Sequence, residues 1–313
     1  MPTESLRALV AGLFDYAGLF PPTGHAMQRA VESYARDRMG GHAWMLGRFV
    51  CAASRLGELS EHGAALMPGT YATSGYREHA DVLEPWGVSV VADVPLEDAL
   101  ARIAGFNERH SREDRGLARA DAVELKADSA SFIDETLDAL PDDLLPFYEL
   151  PIDRDCRGMV AALAGSGACA KVRCGGVVPG AIPAPERVAA FLHACAAGDV
   201  PFKATAGLHH PVRAEQPLTY ELSPPRAVMH GFVNVLLAAV AARSGGAGPE
   251  ELAAMLDERE PGAFAFTDAA ASWRGRAWSA EEIARARDSF AVSVGSCSFE
   301  EPVADLRRLG WLR

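Results

Sequence analysis

The sequence predicts a (β/α)8 barrel, or TIM barrel, as a single domain. Eight short apolar segments typical of strands recur along the 313 residues, and helix-length segments of mixed polarity separate them. Strict alternation of strands and helices implies right-handed crossovers and a parallel sheet. No Gly-x-Gly-x-x-Gly turn follows an early strand, and polar residues end many strands. Both features favour a closed barrel over an open dinucleotide-binding sheet.

The strands are predicted from short runs rich in Val, Phe, Leu and Ala. They lie at 46–51, 66–71, 88–93, 121–126, 145–150, 168–174, 200–205 and 290–295. The segment 66–71 fits least well, because Pro68 lacks the backbone N–H that an interior strand needs.

The helices are predicted between these strands from helical spacing of apolar residues. They lie at 55–64, 75–86, 95–110, 130–140, 153–164, 184–197 and 225–243, and a last helix lies at 300–309.

Residues 1–42 are predicted to precede the barrel, which then spans 43–313. A helix at 27–39 ends at Gly40 and Gly41. The apolar run 13–22 is interpreted as a lid or as a plug over the barrel end, with Asp15 and Tyr16 as candidate substrate contacts.

A helical insertion, residues 206–289, is predicted between the last two strands. Ser223, Pro224 and Pro225 carry the signature of a helix start, and an apolar stripe follows them.

Composition narrows the class of protein. The net charge is −12 and no basic run occurs, which argues against nucleic acid or an anionic membrane as the main partner. The amino terminus lacks the pattern of a secretion signal, and no run of about 18 apolar residues occurs. Six cysteines without a Cys-x-x-Cys pair do not indicate a disulfide scaffold. We expect a cytoplasmic protein that acts on a small anionic metabolite, and a homo-oligomer is compatible with the sequence.

Two strand ends carry the most informative residues. Lys171 and Arg173 occupy alternate positions before Gly175 and Gly176, while Lys203 and Thr205 do so before another glycine turn. Alternate residues of a strand share one face, so each pair points to the same side. In a barrel, such groups belong at the carboxyl ends of the strands, where ligands bind.

The other strand ends contribute acids, bases and backbone N–H groups to the same predicted mouth. Glu124, Lys126 and Glu149 are the further candidate catalytic residues beside the two lysines. The candidate substrate-binding residues are Arg48, Asp93, Arg173, Gly175, Gly176, Thr205, Ser296 and Cys297. Ser293, on the final predicted strand, precedes Ser296 and Cys297 in the sequence. Cys297 also lies just before a predicted helix, whose dipole would lower the pKa of its thiol and make it reactive.

A lysine among other cations and apolar walls loses its proton more readily, and a neutral amine can form a Schiff base with a carbonyl compound. Either Lys171 or Lys203 can be the nucleophile on this reasoning, with the other as the perturbing cation. A lysine that only binds a carboxylate or a phosphate remains the alternative for each.

The two lysine segments resemble the class I aldolase barrels, and most closely the deoxyribose-phosphate aldolase family. That family carries its Schiff-base lysine on the sixth strand and a second lysine on the seventh, each before a glycine turn. The resemblance implies that Lys171 is the Schiff-base lysine and that Lys203 lowers its pKa. Arg173 and Cys174 stand where that family has small hydroxyl residues, and the run 207–210 replaces its second glycine pair.

Histidines suggest a different chemistry. His209, His210 and His230, with Glu124 or Glu149, could bind zinc or manganese. Hydrogen bonding or acid–base work is one alternative for these histidines, and a purely structural role is the other. The leading prediction is therefore a lyase of aldolase type that requires no cofactor. A metal-dependent barrel isomerase or hydrolase is the second hypothesis, and a non-catalytic binding or scaffold protein is the third.

Overall fold

The computed structural model of the protein describes residues 2–69 and 84–312. Thirteen strands occur in these ranges. They are β1 (Phe14–Tyr16), β2 (Leu46–Ala52), β3 (Trp86–Val91), β4 (Ala118–Lys126), β5 (Leu145–Glu149), β6 (Cys169–Arg173), β7 (Phe202–Thr205), β8 (Ala214–Pro217), β9 (Arg226–Met229), β10 (Phe264–Phe266), β11 (Ala270–Trp273), β12 (Arg276–Ser279) and β13 (Ala291–Ser296). Strands β1 to β7 and β13 are parallel and close into one barrel.

The helices of the described ranges connect and cover these strands. They are α1 (Glu4–Val10), α2 (Met27–Arg38), α3 (Leu56–Gly63), α4 (Leu96–His110), α5 (Ala130–Leu137), α6 (Arg157–Leu163), α7 (Pro185–Ala197), α8 (Phe232–Arg243), α9 (Pro249–Asp257), α10 (Ala280–Ser289) and α11 (Glu300–Arg308). A helix follows each barrel strand, so the predicted (β/α)8 barrel is confirmed. None of these helices is both long and apolar enough to cross a membrane.

One of the eight predicted strands is wrong, and a different segment takes its place. Residues 66–69 form turns and bends, because Pro68 and Gly69 do not sustain a strand, while residues 70 and 71 lie outside the described ranges. The missing barrel strand is β1, which pairs with β13 on one side and β2 on the other. The barrel therefore begins at Phe14, within the segment predicted as an extension, and α2 is its first crossover helix.

The other seven predicted strands match barrel strands to within a few residues. The predicted helix 75–86 falls mostly on residues outside the described ranges. The predicted helix 225–243 begins too early. Its first residues instead form β9, which pairs antiparallel with β8, and the helix starts at Phe232.

The insertion between the last two barrel strands is confirmed, but it is not only helical. It contains the β8–β9 hairpin, α8, α9 and a three-stranded antiparallel sheet of β10, β11 and β12. The capping box of Ser279 and Glu282 then starts α10. Residues 232–241 of α8 are all buried, because α7, α9 and α10 pack around this helix.

The barrel interior has an apolar floor. Ala122, Phe147 and Cys169 form a small buried cluster inside the barrel, separate from the main core outside it. Side chains of the same strand faces, two residues closer to the carboxyl ends, are charged. The polar residues of the interior are thus held between an apolar floor and the open mouth.

Candidate active site

The parallel register aligns the charged residues of four neighbouring strands. Lys126 of β4 pairs with Glu149 of β5, Glu149 pairs with Lys171 of β6, and Lys171 pairs with Lys203 of β7. Because partners at one level of a barrel face the same way, all four side chains line one cavity. The predicted convergence of these residues on one mouth agrees with this geometry.

Glu124 joins the two lysines. Its Oε2 lies 2.8 Å from Lys171 Nζ, and its Oε1 lies 2.7 Å from Lys203 Nζ. The hydroxyl group of Ser89 on β3 donates a further hydrogen bond of 2.7 Å to Oε1. Glu124 is almost fully buried, so its negative charge is compensated within the protein and not by water.

Lys203 lies deepest in this network. Its ammonium donates to Asp15 Oδ2 of β1 and to Glu124, and it lies 5.4 Å from the centre of the Phe147 ring on the floor. Asp15 also accepts a hydrogen bond of 2.8 Å from Ser293 Oγ and one from the backbone N–H of Arg48. The side chains of Lys203 and Asp15 are each only 1% exposed.

Lys171 lies nearer the opening. Glu124 and Glu149 both contact its ammonium, Glu149 at 2.7 Å through Oε2. Arg173, at the end of the same strand, binds the other oxygen of Glu149 through Nε at 3.2 Å, and its side chain is half exposed. Lys126 faces the cavity from β4 and makes no ion pair within residues 2–69 and 84–312.

The charges of this cluster shift each affected pKa in the direction that favours the charged form of the group. Burial alone would raise the pKa of Glu124, but the ammonium groups of Lys171 and Lys203 lower it far below its usual range. Lys171 and Arg173 likewise lower the pKa of Glu149 against the effect of its burial. Burial would lower the pKa of Lys203, yet Asp15 and Glu124 raise it. The expectation that Lys203 is a pKa-lowered amine among cations is therefore wrong, because carboxylates surround it.

The cavity above the cluster has a volume of about 680 Å³. Loops after β1, β6, β7 and β13 form its walls together with the β8–β9 hairpin. Gly176, Thr205, Cys297 and both His209 and His210 are among the predicted site residues that line it.

His209 and Cys297 form a second polar group at this mouth. The Cys297 sulfur lies 3.8 Å from Nε2 and 3.9 Å from Nδ1 of His209, and Thr23 donates a hydrogen bond of 3.0 Å to the sulfur. Burial lowers the pKa of His209 and raises that of Cys297. The expected lowering of the thiol pKa is wrong. Burial of the Cys297 thiol raises its pKa although the residue lies near the start of α11.

A fixed tautomer follows for His209. Ser296 donates its single hydroxyl proton to the carbonyl oxygen of Ser298 at 2.7 Å. Its contact of 3.2 Å with Nδ1 of His209 then requires Nδ1 to be the donor. Neutral His209 therefore has an unprotonated Nε2, which lies 3.8 Å from the Cys297 sulfur.

Five predicted site residues do not line the cavity. Gly175 and Ser296 contact residues that do, namely Gly207 and His209, while Arg48, Asp93 and His230 lie elsewhere. Arg48 forms a bidentate ion pair with Asp121, at 2.8 and 2.9 Å, beside the loops that enter β5 and β6. It sits early in β2, so it belongs to the amino-terminal face of the barrel. Asp93 accepts hydrogen bonds from the backbone and hydroxyl of Ser54 and does not line the cavity. His230 contacts the carbonyl oxygen of Pro183 at 2.8 Å and Arg213 at 3.3 Å.

The glycines have packing roles at the mouth. A Cβ on Gly175 would lie 2.9 Å from the Cα of Gly207, so the turns after β6 and β7 meet backbone to backbone. A Cβ on Gly295 would lie 2.8 Å from Oγ1 of Thr205. Small residues are thus needed where neighbouring strands leave the barrel.

The predicted metal ligands do not gather. The ring centres of His209 and His210 are 6.4 Å apart, and His210 Nδ1 lies 2.6 Å from Asp305. In the part of the chain that is described, no three His, Cys, Asp or Glu side chains are arranged to hold a metal ion.

Asp15 and Ser89 are the members of the cluster that sequence reasoning misplaced or missed. Asp15 was expected in a lid, and it instead points into the barrel from a three-residue strand whose neighbours Phe14 and Tyr16 are buried on the other side. The alternation of Phe14, Asp15 and Tyr16 agrees with a strand, but it spans too few residues to predict one. Ser89 sits in the apolar run of β3, where one hydroxyl group is inconspicuous.

No protein-family model, no curated protein and no solved structure matches this chain. The site geometry is therefore the basis for assigning a function.

Proposed function

We propose that the protein is a lyase of aldolase type, which makes or breaks a carbon–carbon bond next to the carbonyl group of an anionic substrate through a Schiff base on Lys171. The observation that carries this assignment is that Lys171 and Lys203, paired in register, share the carboxylate of Glu124 at the inner end of one cavity. Their order, on the sixth and seventh barrel strands, also agrees with the resemblance to deoxyribose-phosphate aldolases.

Lys171 is the better nucleophile of the two because a substrate can reach it. Its side chain is 7% exposed and its neighbour Glu149 is 16% exposed, whereas Lys203 is 1% exposed. The raised pKa of Lys203 keeps that ammonium charged at neutral pH. Lys203 then acts as a fixed positive charge beside the reacting amine.

Schiff-base formation requires Lys171 to lose a proton, and Glu149 is positioned to take it at 2.7 Å. The free amine adds to the substrate carbonyl carbon, and a proton moves from nitrogen to the new alkoxide to give a carbinolamine. Glu149 returns its proton to the hydroxyl group, which leaves as water. The product is a positively charged imine on Lys171.

The carbon–carbon bond that breaks joins the α and β carbons of the imine. Its electron pair forms the double bond of an enamine, and the π pair of the C=N bond moves onto the imine nitrogen. A base must remove the proton from the hydroxyl group of the departing fragment, which leaves as an aldehyde. His209 suits this role, because it lines the cavity and its Nε2 is unprotonated when the ring is neutral. The enamine carbon takes up the proton that His209 removed, and addition of water to the resulting imine releases the second product and restores Lys171.

Arg173 and Lys126 provide the positive charge for the substrate anion. Both line the cavity at the strand ends beside Glu149, and Arg173 uses only Nε in its contact with that carboxylate. The remaining guanidinium donors match the geometry of a carboxylate or a phosphate.

The test is borohydride reduction of the protein with a panel of small aldehydes, 2-oxo acids and sugar phosphates, followed by peptide mass mapping. We expect one adduct, on Lys171, and its loss in Lys171→Met. Lys126→Met is the matched control, because Lys126 lines the same cavity and is assigned to anion binding. Its loss should raise the concentration needed for trapping but leave the adduct on Lys171. An adduct that maps to Lys203 would contradict the assignment of the nucleophile. Turnover of an identified substrate with no adduct on either lysine would overturn the Schiff-base mechanism.

A further inference from the structure

The cavity above Lys171 has two chemically different halves. Strands β4 to β7 and their ends supply most of its charged side chains, including Lys126, Glu149, Lys171 and Arg173. Strands β2 and β3 and the loop after β1 supply the other side, which we call the apolar wall. The apolar wall is formed by Phe20, Pro21, Pro22, Val50, Val91 and Ala92.

The apolar wall is continuous because β1, β2 and β3 are neighbours in the barrel. Val50 and Val91 lie on the interior face of their strands, and Phe20 to Pro22 come from the loop after β1. Within the ranges 2–69 and 84–312, β2, β3 and the loop after β1 place no charged side chain on the cavity. Asp93, two residues beyond the end of β3, is hydrogen-bonded to Ser54 instead.

The volume of the cavity exceeds the needs of a three-carbon or four-carbon substrate. Its 680 Å³ corresponds to the liquid volume of about 20 water molecules. A substrate that only reached the lysines and the nearby cations would leave the apolar wall in contact with water. Covering apolar surface is favourable by about 25 cal/mol per Å², so a ligand that covers this wall binds more tightly.

We propose that the substrate is an amphiphilic carbonyl compound, with its carbonyl and anionic groups at the charged half and a hydrocarbon or aromatic arm on the apolar wall. This inference rests on the function proposed above for the position of the carbonyl group. The location of the arm rests only on the cavity. A sugar phosphate with hydroxyl groups along its whole length would meet the apolar wall without hydrogen-bond partners.

The test uses the linear 2-oxo acids from pyruvate to 2-oxooctanoate as probes in borohydride trapping. The concentration for half-maximal trapping should fall by about fourfold per added methylene group, the factor that ~0.8 kcal/mol per buried CH₂ corresponds to, until the wall is covered. Val91→Thr and Phe20→Ser should reduce this factor, because a hydroxyl group beside the arm is poorly solvated. Val178→Thr is the matched control, since Val178 is exposed near the mouth and does not line the cavity.

A second measurement separates this inference from the Schiff-base mechanism. Titration calorimetry with the linear carboxylates from acetate to octanoate, on Lys171→Met, needs no covalent step. We expect affinity to rise with chain length, with an increasingly negative heat-capacity change. If pyruvate is trapped but neither series depends on chain length, the amphiphilic substrate is ruled out and the mechanism stands. If the carboxylates show the dependence and the protein turns over an identified substrate with no adduct on either lysine, the apolar wall is supported and the mechanism fails.

Discussion

Lys203 and Asp15 form an ion pair inside the barrel although they are 188 residues apart in the chain. The contact joins β7 to β1 across the intervening β13, whose Ser293 donates to the same oxygen of Asp15. With Glu124 it gives the buried ammonium two negative partners. The pair therefore holds together the strands at which the barrel closes and fixes the charge beside the reactive lysine.

Asp15→Asn should destabilise the protein strongly. The substitution leaves the buried Lys203 ammonium with Glu124 as its one carboxylate partner among the described residues, and removing one member of a buried ion pair costs about 3–5 kcal/mol. Urea unfolding followed by circular dichroism measures the change. Asp143→Asn is the control, because its exposed pair with Arg119 contributes less than about 1 kcal/mol. Equal losses in the two variants would contradict the role given to Asp15.

Arg48→Met should show that the amino-terminal face of the barrel does not contribute to the reaction at Lys171. The Arg48–Asp121 pair is partly exposed, so its loss should cost only about 1 kcal/mol of stability. Trapping at Lys171 should remain within about twofold of the natural protein, since Asp15 binds the backbone N–H of residue 48 and not its side chain. A tenfold loss of trapping would show that Arg48 acts at the mouth after all.

His230→Gln should reduce the amount by which the free energy of unfolding falls in mild acid. Burial lowers the pKa of His230 from 6.5 to about 4, and the charge of Arg213 acts in the same direction. The unfolded chain thus binds a proton below pH 6.5 that the folded chain resists. Stability should fall as the pH drops from 6.5 towards 4, by about 3 kcal/mol from this histidine. Unfolding free energies at pH 7 and pH 5 check the sign, and an unchanged difference between them in the variant would refute it.

Gly295→Ala should overpack the end of β13. The added methyl group would meet Thr205 Oγ1 at 2.8 Å, and overpacking of this kind costs about 1–3 kcal/mol. The double variant with Thr205→Ala should recover most of this loss. Gly158→Ala in α6 is the control, because its Cβ would meet no atom within 4 Å and the change should stabilise the helix by about 0.5–1 kcal/mol. Thermal unfolding measures all three, and no recovery in the double variant would contradict the stated clash.

Local sequence was sufficient for most of the fold. Seven barrel strands and the crossover helices between 95 and 197 follow from period-two and helical spacing, because each element buries one face and so repeats apolar residues at its own period. Strand β1 could not be predicted in this way. Three residues are too few to show a period, and an aspartate at the centre looks like a loop until its partner is known.

The side of the barrel that carries Glu124, Glu149, Lys171 and Lys203 was also determined by sequence, since alternate residues at the ends of parallel strands must face one mouth. Only the tertiary structure decided whether the lysines contact carboxylates or other cations. The lysines were expected beside cations, but the barrel places the carboxylate of Glu124 between them and brings Asp15 into contact with Lys203. Electrostatic shifts depend on distances of a few Å between residues far apart in sequence, and barrel closure alone sets those distances.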